Sequence, residues 1–384
     1  MHIVGGLYRE LCEVPSWDST MGSGVRAALA AMTLSPDVEL STFASLADQP
    51  AVTEIRSRGI VVNVQPRASA IVFAYFHPLS FPHIEPPRGD IEVKGSILVT
   101  GDAVLRFGFI EGDAVVTANR AVYDPQTWRN PPSFWANGST ANELALVMNE
   151  LELRHIAGID ELATAAQLVL QRERACAIVV KRGTRGASIY EATGKVTHVP
   201  AYRSNRVFKL GTGDVFSAVF AVYWAEKNLS PAEAADLASR SVSVYCDTLT
   251  FEFDEPSLRL RQPVSPGEGG KVRLEGAIRS LGQRYLMEET RCALRELGIE
   301  VLAPELNPAS LEESADATLI INNELSAQAW TRITQDAANA VPVIILNEHS
   351  MDAFDLHYAT LITEDFTTAI YFAAWAAEEA VAPR

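Results

Sequence analysis

A two-domain α/β fold is predicted by three features of the sequence. Strand-like and helix-like segments alternate over residues 1–262, as expected for a layered domain with a mainly parallel sheet. Residues 263–271 are dominated by proline, glycine and polar residues, which is typical of a linker. A second alternation in residues 272–384 predicts a smaller α/β domain with its own sheet.

The elements of the first domain follow from hydrophobic periodicity and helix signals. Apolar runs predict strands at 60–64, 70–76 and 178–181, and helical spacing predicts helices at 27–32, 161–174 and 232–246. Pro231 fits the first turn of the last of these helices. The four prolines within residues 78–87 predict an irregular loop after the second strand.

Composition limits the classes of function. The chain of 384 residues is 48% hydrophobic, which is enough for substantial cores. Its formal net charge of -16 argues against general binding to nucleic acid or to an anionic membrane, because both need basic surfaces. We find no apolar run of the roughly 18 to 20 residues that span a bilayer and no signal-peptide pattern, so we expect a cytoplasmic protein. The four scattered cysteines predict neither a disulfide framework nor a metal site.

A glycine-framed turn before a long apolar helix is the strongest functional signal. Gly211, Thr212 and Gly213 can present backbone amides at the positive end of that helix, where an anion binds. Asp214 follows directly and could take the proton of an attacking hydroxyl while the amides stabilise a phosphoryl group. The pattern therefore indicates phosphoryl transfer, although a glycine-bearing loop with an N-capping Asp is the structural alternative.

This turn resembles the DTxGAGD signature of the ribokinase-like (PfkB) carbohydrate and nucleoside kinases. Four further segments are similar to motifs of that family and occur in the same order: the glycine pair at 22–24, the Asp-Pro strand end at 122–126, the NxxE motif at 149–152 and the strand-turn-strand over ATP at 179–187. Together they cover about residues 1–260. The resemblance implies a ribokinase-like fold, ATP and Mg²⁺ as cofactors, and a small sugar or nucleoside as the phosphoryl acceptor, with a homodimer compatible with it.

The resemblance also implies residue roles. Asp214 is the expected catalytic base, and Gly211, Thr212 and Gly213 form the expected anion hole. The expected metal-organising residues are Asn149 and Glu152. We expect the acceptor to be bound by Glu10, Gly22, Ser23 and Gly24, and the nucleotide by Lys181, Gly183, Gly186 and Lys209.

Two departures from the family pattern bear on these roles. Phe208, Lys209 and Leu210 stand where the family has Asp-Thr-Thr, so side chains that usually contact the nucleotide phosphates are replaced. Glu10 stands where the family has an Asp that binds two sugar hydroxyls, and Arg26 lies where an Asn commonly follows the glycine pair. A changed or lost sugar site is therefore an open alternative.

The second domain has the pattern of a small flavodoxin-like or Rossmann-like sheet, with strands at 272–277, 299–302, 317–322 and 343–346 and a helix at 287–297. It weakly resembles nucleoside 2-deoxyribosyltransferases. Residues 328–333 lack the nucleophilic Glu of that family, and we expect Arg332 to offer its guanidinium to a phosphate. This pattern favours nucleoside or nucleotide binding over glycosyl transfer.

Three hypotheses of function follow. The first is an ATP-dependent kinase of a sugar or nucleoside with a C-terminal nucleoside-binding or nucleotide-binding domain, as the intact Asp214 and NxxE motif indicate. The second is a catalytically degenerate kinase fold that senses nucleotides or nucleosides in regulation or defence, which Phe208 and Glu10 favour. The third is a hydrolase or transferase that acts on N-glycosidic bonds through the second domain.

Overall fold

The computed structural model describes residues 1–127, 129, 131–265, 267, 269–310, 313–347 and 358–382. The chain divides into two compact units. Unit 1 consists of Met1–Arg182, Gly186–Asn205 and Lys209–Gln262. Unit 2 consists of Pro263–Arg384 together with two short segments, Gly183–Arg185 and Arg206–Phe208.

Unit 1 combines two sheets with seven α-helices among its described residues. Its strands are β1 (His2–Val4), β2 (Arg9–Cys12), β3 (Trp17–Thr20), β4 (Glu39–Ala44), β5 (Val61–Pro66), β6 (Val72–Tyr75), β7 (His83–Glu85), β8 (Ser96–Phe107), β9 (Asp113–Asp124), β10 (Thr140–Asn149), β11 (Ala177–Lys181), β12 (Ala187–Glu191) and β13 (Val196–Val199). Its helices are α1 (Gly22–Met32), α2 (Gln49–Ser57), α3 (Glu150–Ala157), α4 (Leu162–Glu173), α5 (Thr212–Ala221), α6 (Pro231–Thr248) and α7 (Glu255–Arg259). A π-helical segment, Val222–Glu226, follows α5.

The larger sheet has nine strands in the order β13-β12-β11-β10-β9-β8-β1-β4-β5. The neighbours from β11 to β5 pair in parallel, while β12 pairs antiparallel with both β11 and β13. The predicted α/β fold with a mainly parallel sheet is therefore confirmed.

Register brings the carboxyl ends of the central strands to one edge of this sheet. Asn149 at the end of β10 pairs with Lys181 at the end of β11, and Phe107 at the end of β8 pairs with Asp124 at the end of β9. Ligands of parallel α/β sheets bind outside the carboxyl ends of the strands. This edge is therefore where a functional site is expected.

The smaller sheet of unit 1 has the order β3-β2-β6-β7. It contains Glu10 on β2 and Phe73 on β6, which pair with each other in register. The prediction of an irregular loop over residues 78–87 is wrong for His83–Glu85, which pairs with β6 as β7. Pro82 and Pro86 flank this edge strand, so neither proline removes a donor from within it.

Helix boundaries in unit 1 follow local capping. Asn149 and Glu152 form a capping box at the start of α3, in which each side chain accepts a hydrogen bond from the backbone N–H of the other. Ser230 and Glu233 form the same motif before α6, whose first residue is Pro231. The helix predicted at 232–246 is thus confirmed as α6, whereas α3 was not predicted.

Unit 2 contains a five-stranded sheet in the order β15-β14-β16-β17-β18, and its neighbouring strands all pair in parallel. Its elements are β14 (Lys271–Glu275), α8 (Leu281–Glu296), β15 (Glu300–Leu302), β16 (Ala317–Ile321), α9 (Ala327–Ala338), β17 (Val343–Leu346), β18 (Leu361–Thr363) and α10 (Phe366–Ala380). Helix α8 begins earlier than predicted because Ser280 caps it in a box with Gln283. Within the described part of the chain, no helix is long and apolar enough to span a membrane.

Candidate active site

A cavity of about 440 Å³ opens at the carboxyl edge of the large sheet in unit 1. The ends of three strands contribute Asp124, Asn149 and Lys181 to its lining. The beginnings of α1 and α5 contribute Gly22 and Asp214. Residues that are distant in sequence therefore converge on one volume, which is the size range of small-molecule sites.

Asp214 lies in the first turn of α5 and is 7% exposed. Its Oδ2 accepts a hydrogen bond of 2.8 Å from Arg26 Nη1, and its Oδ1 accepts one of 3.0 Å from Gln126 Nε2. Burial raises the pKa of this carboxyl, the Arg26 charge opposes the rise, and Glu10 and Asp124 add to it. Two hydrogen bonds, one to each oxygen, thus fix the position of the carboxylate.

The predicted anion hole is a turn that requires glycine. Gly211 is the N-cap of α5 with φ of 74°, in the left-handed region. A Cβ atom on Gly211 would lie 1.9 Å from Arg26 Nε, so the guanidinium packs directly against this residue. Thr212 donates its hydroxyl to the backbone oxygen of Lys209, and Gly213 lines the cavity. The turn therefore places the start of α5, with its positive end, at the cavity.

Glu10 lies in the cavity as predicted, but its carboxylate is engaged by Arg26. Arg26 Nη1 and Nη2 donate to the two oxygens of Glu10, and the backbone N–H of Gly22 donates to Oε1 at 3.2 Å. Arg26 itself is 1% exposed. Glu10 therefore accepts most of its hydrogen bonds from groups of the protein, which leaves fewer for the ligand hydroxyls that it was expected to bind.

Arg26 is a site residue whose role the sequence did not reveal. It joins Glu10 and Asp214, which are 16 and 188 residues away in the chain. A single charge within the alanine-rich helix α1 is the signal that could have identified it, because a charge on a buried helix face needs a partner.

The predicted glycine pair of the acceptor site serves two purposes. Gly22, with φ of 73°, lines the cavity together with Ser23. Gly24 packs against the backbone that follows β1, since a Cβ there would lie 2.5 Å from the Gly5 oxygen. The structure thus brings Gly22 and Ser23 to the cavity and uses Gly24 for close packing behind it.

Lys181 lies at the same cavity and faces the glycine turn. Its Nζ donates to Asp124 Oδ2 at 2.8 Å, and that oxygen also accepts a hydrogen bond from Ser217 Oγ at 2.7 Å. The ammonium is 3.3 Å from the position a Cβ would take on Gly213. A positive charge therefore lies beside the turn that was predicted to bind phosphate.

Asn149 and Glu152, the predicted metal-organising pair, also line the cavity. Both are committed to the capping box of α3, with bonds of 2.8 Å in each direction. Burial and the nearby charge of Asp124 raise the pKa of Glu152 to about 7, while Lys181 opposes the rise. In the part of the chain that the structure describes, no group of three or more His, Cys, Asp or Glu side chains could hold a metal ion.

The other three residues predicted to bind the nucleotide make different contacts. Gly183, Gly186 and Lys209 are not among the described residues that line the cavity. Gly183 belongs to unit 2, while Gly186 has φ of 76° and packs so closely on Val199 that a Cβ would lie 2.1 Å from its oxygen. Lys209 Nζ donates to Thr212 Oγ1 at 3.2 Å. Of the four residues predicted to bind the nucleotide, the structure brings Lys181 to the cavity.

In unit 2, the expectation that Arg332 offers its guanidinium to a phosphate is wrong. Arg332 Nε and Nη2 donate to the two oxygens of Glu275 at 2.6 and 2.8 Å, and Nη2 also donates to Glu305 at 3.2 Å. Glu275 is fully buried at the end of β14. The carboxylate of Glu275 engages the guanidinium group of Arg332, and the sequence did not predict this contact.

Comparison with known proteins supports the kinase resemblance of unit 1. Residues 139–248 match the family model described as pfkB family carbohydrate kinase. The matched segment contains both the glycine turn at Asp214 and the motif at Asn149 and Glu152. The predicted resemblance to this family is therefore confirmed, whereas the resemblance of residues 272–384 to nucleoside 2-deoxyribosyltransferases stays a prediction. No curated protein matches the chain.

Several solved structures are similar to this chain at low sequence identity. A ribokinase from Giardia lamblia is 16% identical with a TM-score of 0.49, over 67% of this chain and 95% of that one. A nucleoside kinase from Burkholderia thailandensis in complex with inosine is 16% identical with a TM-score of 0.47, over 65% and 92%. A pyrophosphate-dependent kinase in the ribokinase family, complexed with a pyrophosphate analog and myo-inositol, is 15% identical with a TM-score of 0.46, over 67% and 98%.

Proposed function

We propose that unit 1 transfers a phosphoryl group from ATP to a hydroxyl group of a sugar or nucleoside. The observation that carries this proposal is the placement of Asp214 in the first turn of α5, in one cavity with Gly213 and Lys181. A base, an anion-binding helix start and a positive charge are the groups that phosphoryl transfer requires from a protein.

Asp214 is the proposed general base. Its carboxylate is oriented by Arg26 and Gln126, each of which donates one hydrogen bond to one of its oxygens. In the reaction, the acceptor hydroxyl loses its proton to this carboxylate and its oxygen forms a bond to the γ-phosphorus of ATP. The bond between that phosphorus and the bridging oxygen breaks, and ADP leaves with the electron pair.

The start of α5 is the proposed site for the phosphoryl group in transfer. Backbone amides at the turn of Gly211 and Gly213 and the positive helix end stabilise negative charge on its oxygens. Lys181, whose ammonium lies beside Gly213, adds a positive charge at the same place. Such groups are effective because they are positioned before the reaction begins.

The capping box engages Oε2 of Glu152, so the other carboxylate oxygen of Glu152 would hold a magnesium ion together with phosphate. Mg²⁺ binds in proteins through one or two carboxylates and completes its coordination with phosphate oxygens and waters. Glu152 supplies a carboxylate at the cavity wall and Asn149 lies beside it. The ion, when bound, neutralises charge on the donor phosphates.

A second candidate function is ligand sensing without phosphoryl transfer. The engagement of both Glu10 and Asp214 by Arg26 favours this candidate, because an ion pair occupies the two carboxylates that a kinase would use on its acceptor. The sensor would bind the same small molecules in the same cavity and leave them unchanged.

An activity assay separates the two candidates. The full chain is incubated with ATP, Mg²⁺ and a pool of sugars and nucleosides, and ADP release and the mass gain of one phosphate on an acceptor are measured. Asp214→Asn should lower turnover by about two to four powers of ten. Asp254→Asn, which makes the same change at the exposed N-cap of α7, is the matched control and should leave turnover unchanged. Saturable binding of an acceptor without mass gain would instead support the sensor.

A further inference from the structure

Aromatic side chains form part of the lining of the cavity in unit 1, and we refer to them as the aromatic wall. Tyr8, Phe73, Tyr75 and Phe109 line the cavity, together with Ile110. Phe73, Tyr75, Phe109 and Ile110 are half-buried, so each leaves part of its apolar surface accessible. These residues come from the small sheet and from the segments after β1 and β8.

Contacts with neighbouring side chains hold Tyr8 and Phe73 in place. Tyr8 donates its hydroxyl to Glu111 at 2.6 Å, and Arg67 holds the other oxygen of Glu111 at 2.9 Å. The rings of Tyr8 and Phe73 lie 5.1 Å apart between centroids. Burial and the charge of Glu111 raise the pKa of Tyr8, so its hydroxyl remains a hydrogen-bond donor at neutral pH. An aromatic surface fixed in this way loses little conformational freedom when a ligand stacks on it.

The carboxylates of Glu10 and Asp214 have less capacity to accept hydrogen bonds from ligand hydroxyls than their number suggests. Arg26 and the N–H of Gly22 occupy Glu10, and Arg26 with Gln126 occupies Asp214. A free sugar is recognised mainly through hydroxyl hydrogen bonds, whereas a flat ring is recognised by stacking on aromatic side chains. Because the carboxylates are engaged and the aromatic surface is accessible, the cavity favours a ligand with a planar ring.

We propose that the acceptor of this site carries a planar aromatic ring beside its hydroxymethyl group, as a nucleoside does, and that Phe73 and Phe109 bind that ring. This inference rests on the proposed function for the identity of the site and narrows its acceptor from sugars in general to compounds of the nucleoside class. Asp214 then faces the hydroxyl group of the acceptor, and the aromatic wall binds the nucleobase of the acceptor.

The test is calorimetric titration of the full chain, without a phosphoryl donor, with purine and pyrimidine ribonucleosides, with the free bases and with ribose. We expect nucleosides to bind at least about tenfold more tightly than ribose, since a stacked base contributes that much or more. Phe73→Leu and Phe109→Leu keep apolar volume and remove the ring, and each should weaken nucleoside binding by about ten- to a hundredfold. Phe81→Leu is the matched control, because Phe81 is 87% exposed and lies outside the cavity lining.

The outcomes distinguish this inference from the proposed function. Ribose affinity equal to nucleoside affinity, no nucleoside binding, or nucleoside binding unchanged in both ring variants would overturn the inference. Phosphorylation of a free sugar at the same rate in Phe73→Leu and in the parent would also overturn it while supporting the kinase. Ring-dependent nucleoside binding without phosphorylation would support the inference and refute the kinase.

Discussion

Replacing Arg26 with methionine tests how the buried charges of the cavity work together. The side chain is 1% exposed and pairs with Glu10 and with Asp214, which are each 7% exposed. Methionine fills much of the same volume without a charge or a donor. The variant therefore leaves two carboxylates buried without their shared cation.

The expected effect on stability is large. Removing one partner of a buried ion pair costs about 3 to 5 kcal/mol, and we expect a loss of that size in the free energy of unfolding near neutral pH. Burial already raises the pKa of Asp214, and without Arg26 it should rise further. A folded carboxyl with a raised pKa contributes stability in full below the ordinary aspartate pKa, and the contribution declines as pH rises through the raised pKa. The variant should accordingly lose less stability in acid than at neutral pH.

Turnover should respond in the same direction. A general base works only when it is ionised, so the acidic limb of the profile of kcat against pH reports the pKa of Asp214 in the complex. Arg26→Met should move that limb to higher pH, and Arg26→Lys, which retains the charge, should restore part of the difference. Urea unfolding between pH 5 and pH 8 and kcat over the same range provide the two measurements.

Arg106→Met is the matched control for this experiment. Arg106 is also 1% exposed and forms an ion pair with Asp113, but neither residue lines the cavity. The control should lose stability and leave the acidic limb of kcat in place. If Arg26→Met loses stability as well and the acidic limb of its kcat profile coincides with that of the parent, Arg26 has no role in holding Asp214 ionised.

Two further substitutions test the glycine turn and the lysine beside it. Gly211→Ala should abolish turnover and destabilise the protein by about 1 to 3 kcal/mol, because the residue has positive φ and a methyl group would collide with Arg26; thermal unfolding and ADP release measure both effects, and turnover above a tenth of the parent value would contradict them. Lys181→Met should raise the KM for ATP by about tenfold or more through loss of a charge beside Gly213, and initial rates at varied ATP concentration measure it. An unchanged KM for ATP would remove Lys181 from the donor site.

The sequence predicted those parts of the site that are local in the chain. The turn before α5 and the capping box of α3 each lie within four consecutive residues, so their glycine, acid and amide patterns are visible directly. The ion pair between Arg26 and Asp214 joins residues 188 positions apart, and nothing local to either residue predicts it. No local pattern predicts the aromatic wall either, because sheet pairing and the path of the loops bring Tyr8, Phe73 and Phe109 to one cavity.

Two wrong predictions also depend on contacts between residues that are distant in the chain. Residues 83–85 were predicted as loop because prolines surround them, and they form β7 because β6 offers a free edge that no local pattern reveals. Arg332 was assigned to phosphate for its chemistry, but its partner Glu275 lies 57 residues earlier. The sequence shows which residues are charged, but the tertiary structure determines which of them form ion pairs.

The close packing of Arg26 on Gly211 has an evolutionary consequence. The guanidinium fills the space that any side chain at position 211 would need, with 1.9 Å between Arg26 Nε and the Cβ position. An arginine at position 26 leaves no room for a side chain at position 211, and the left-handed backbone also favours glycine there. Related chains that carry this arginine should therefore also carry glycine at position 211, and none should combine the arginine with a substituted turn.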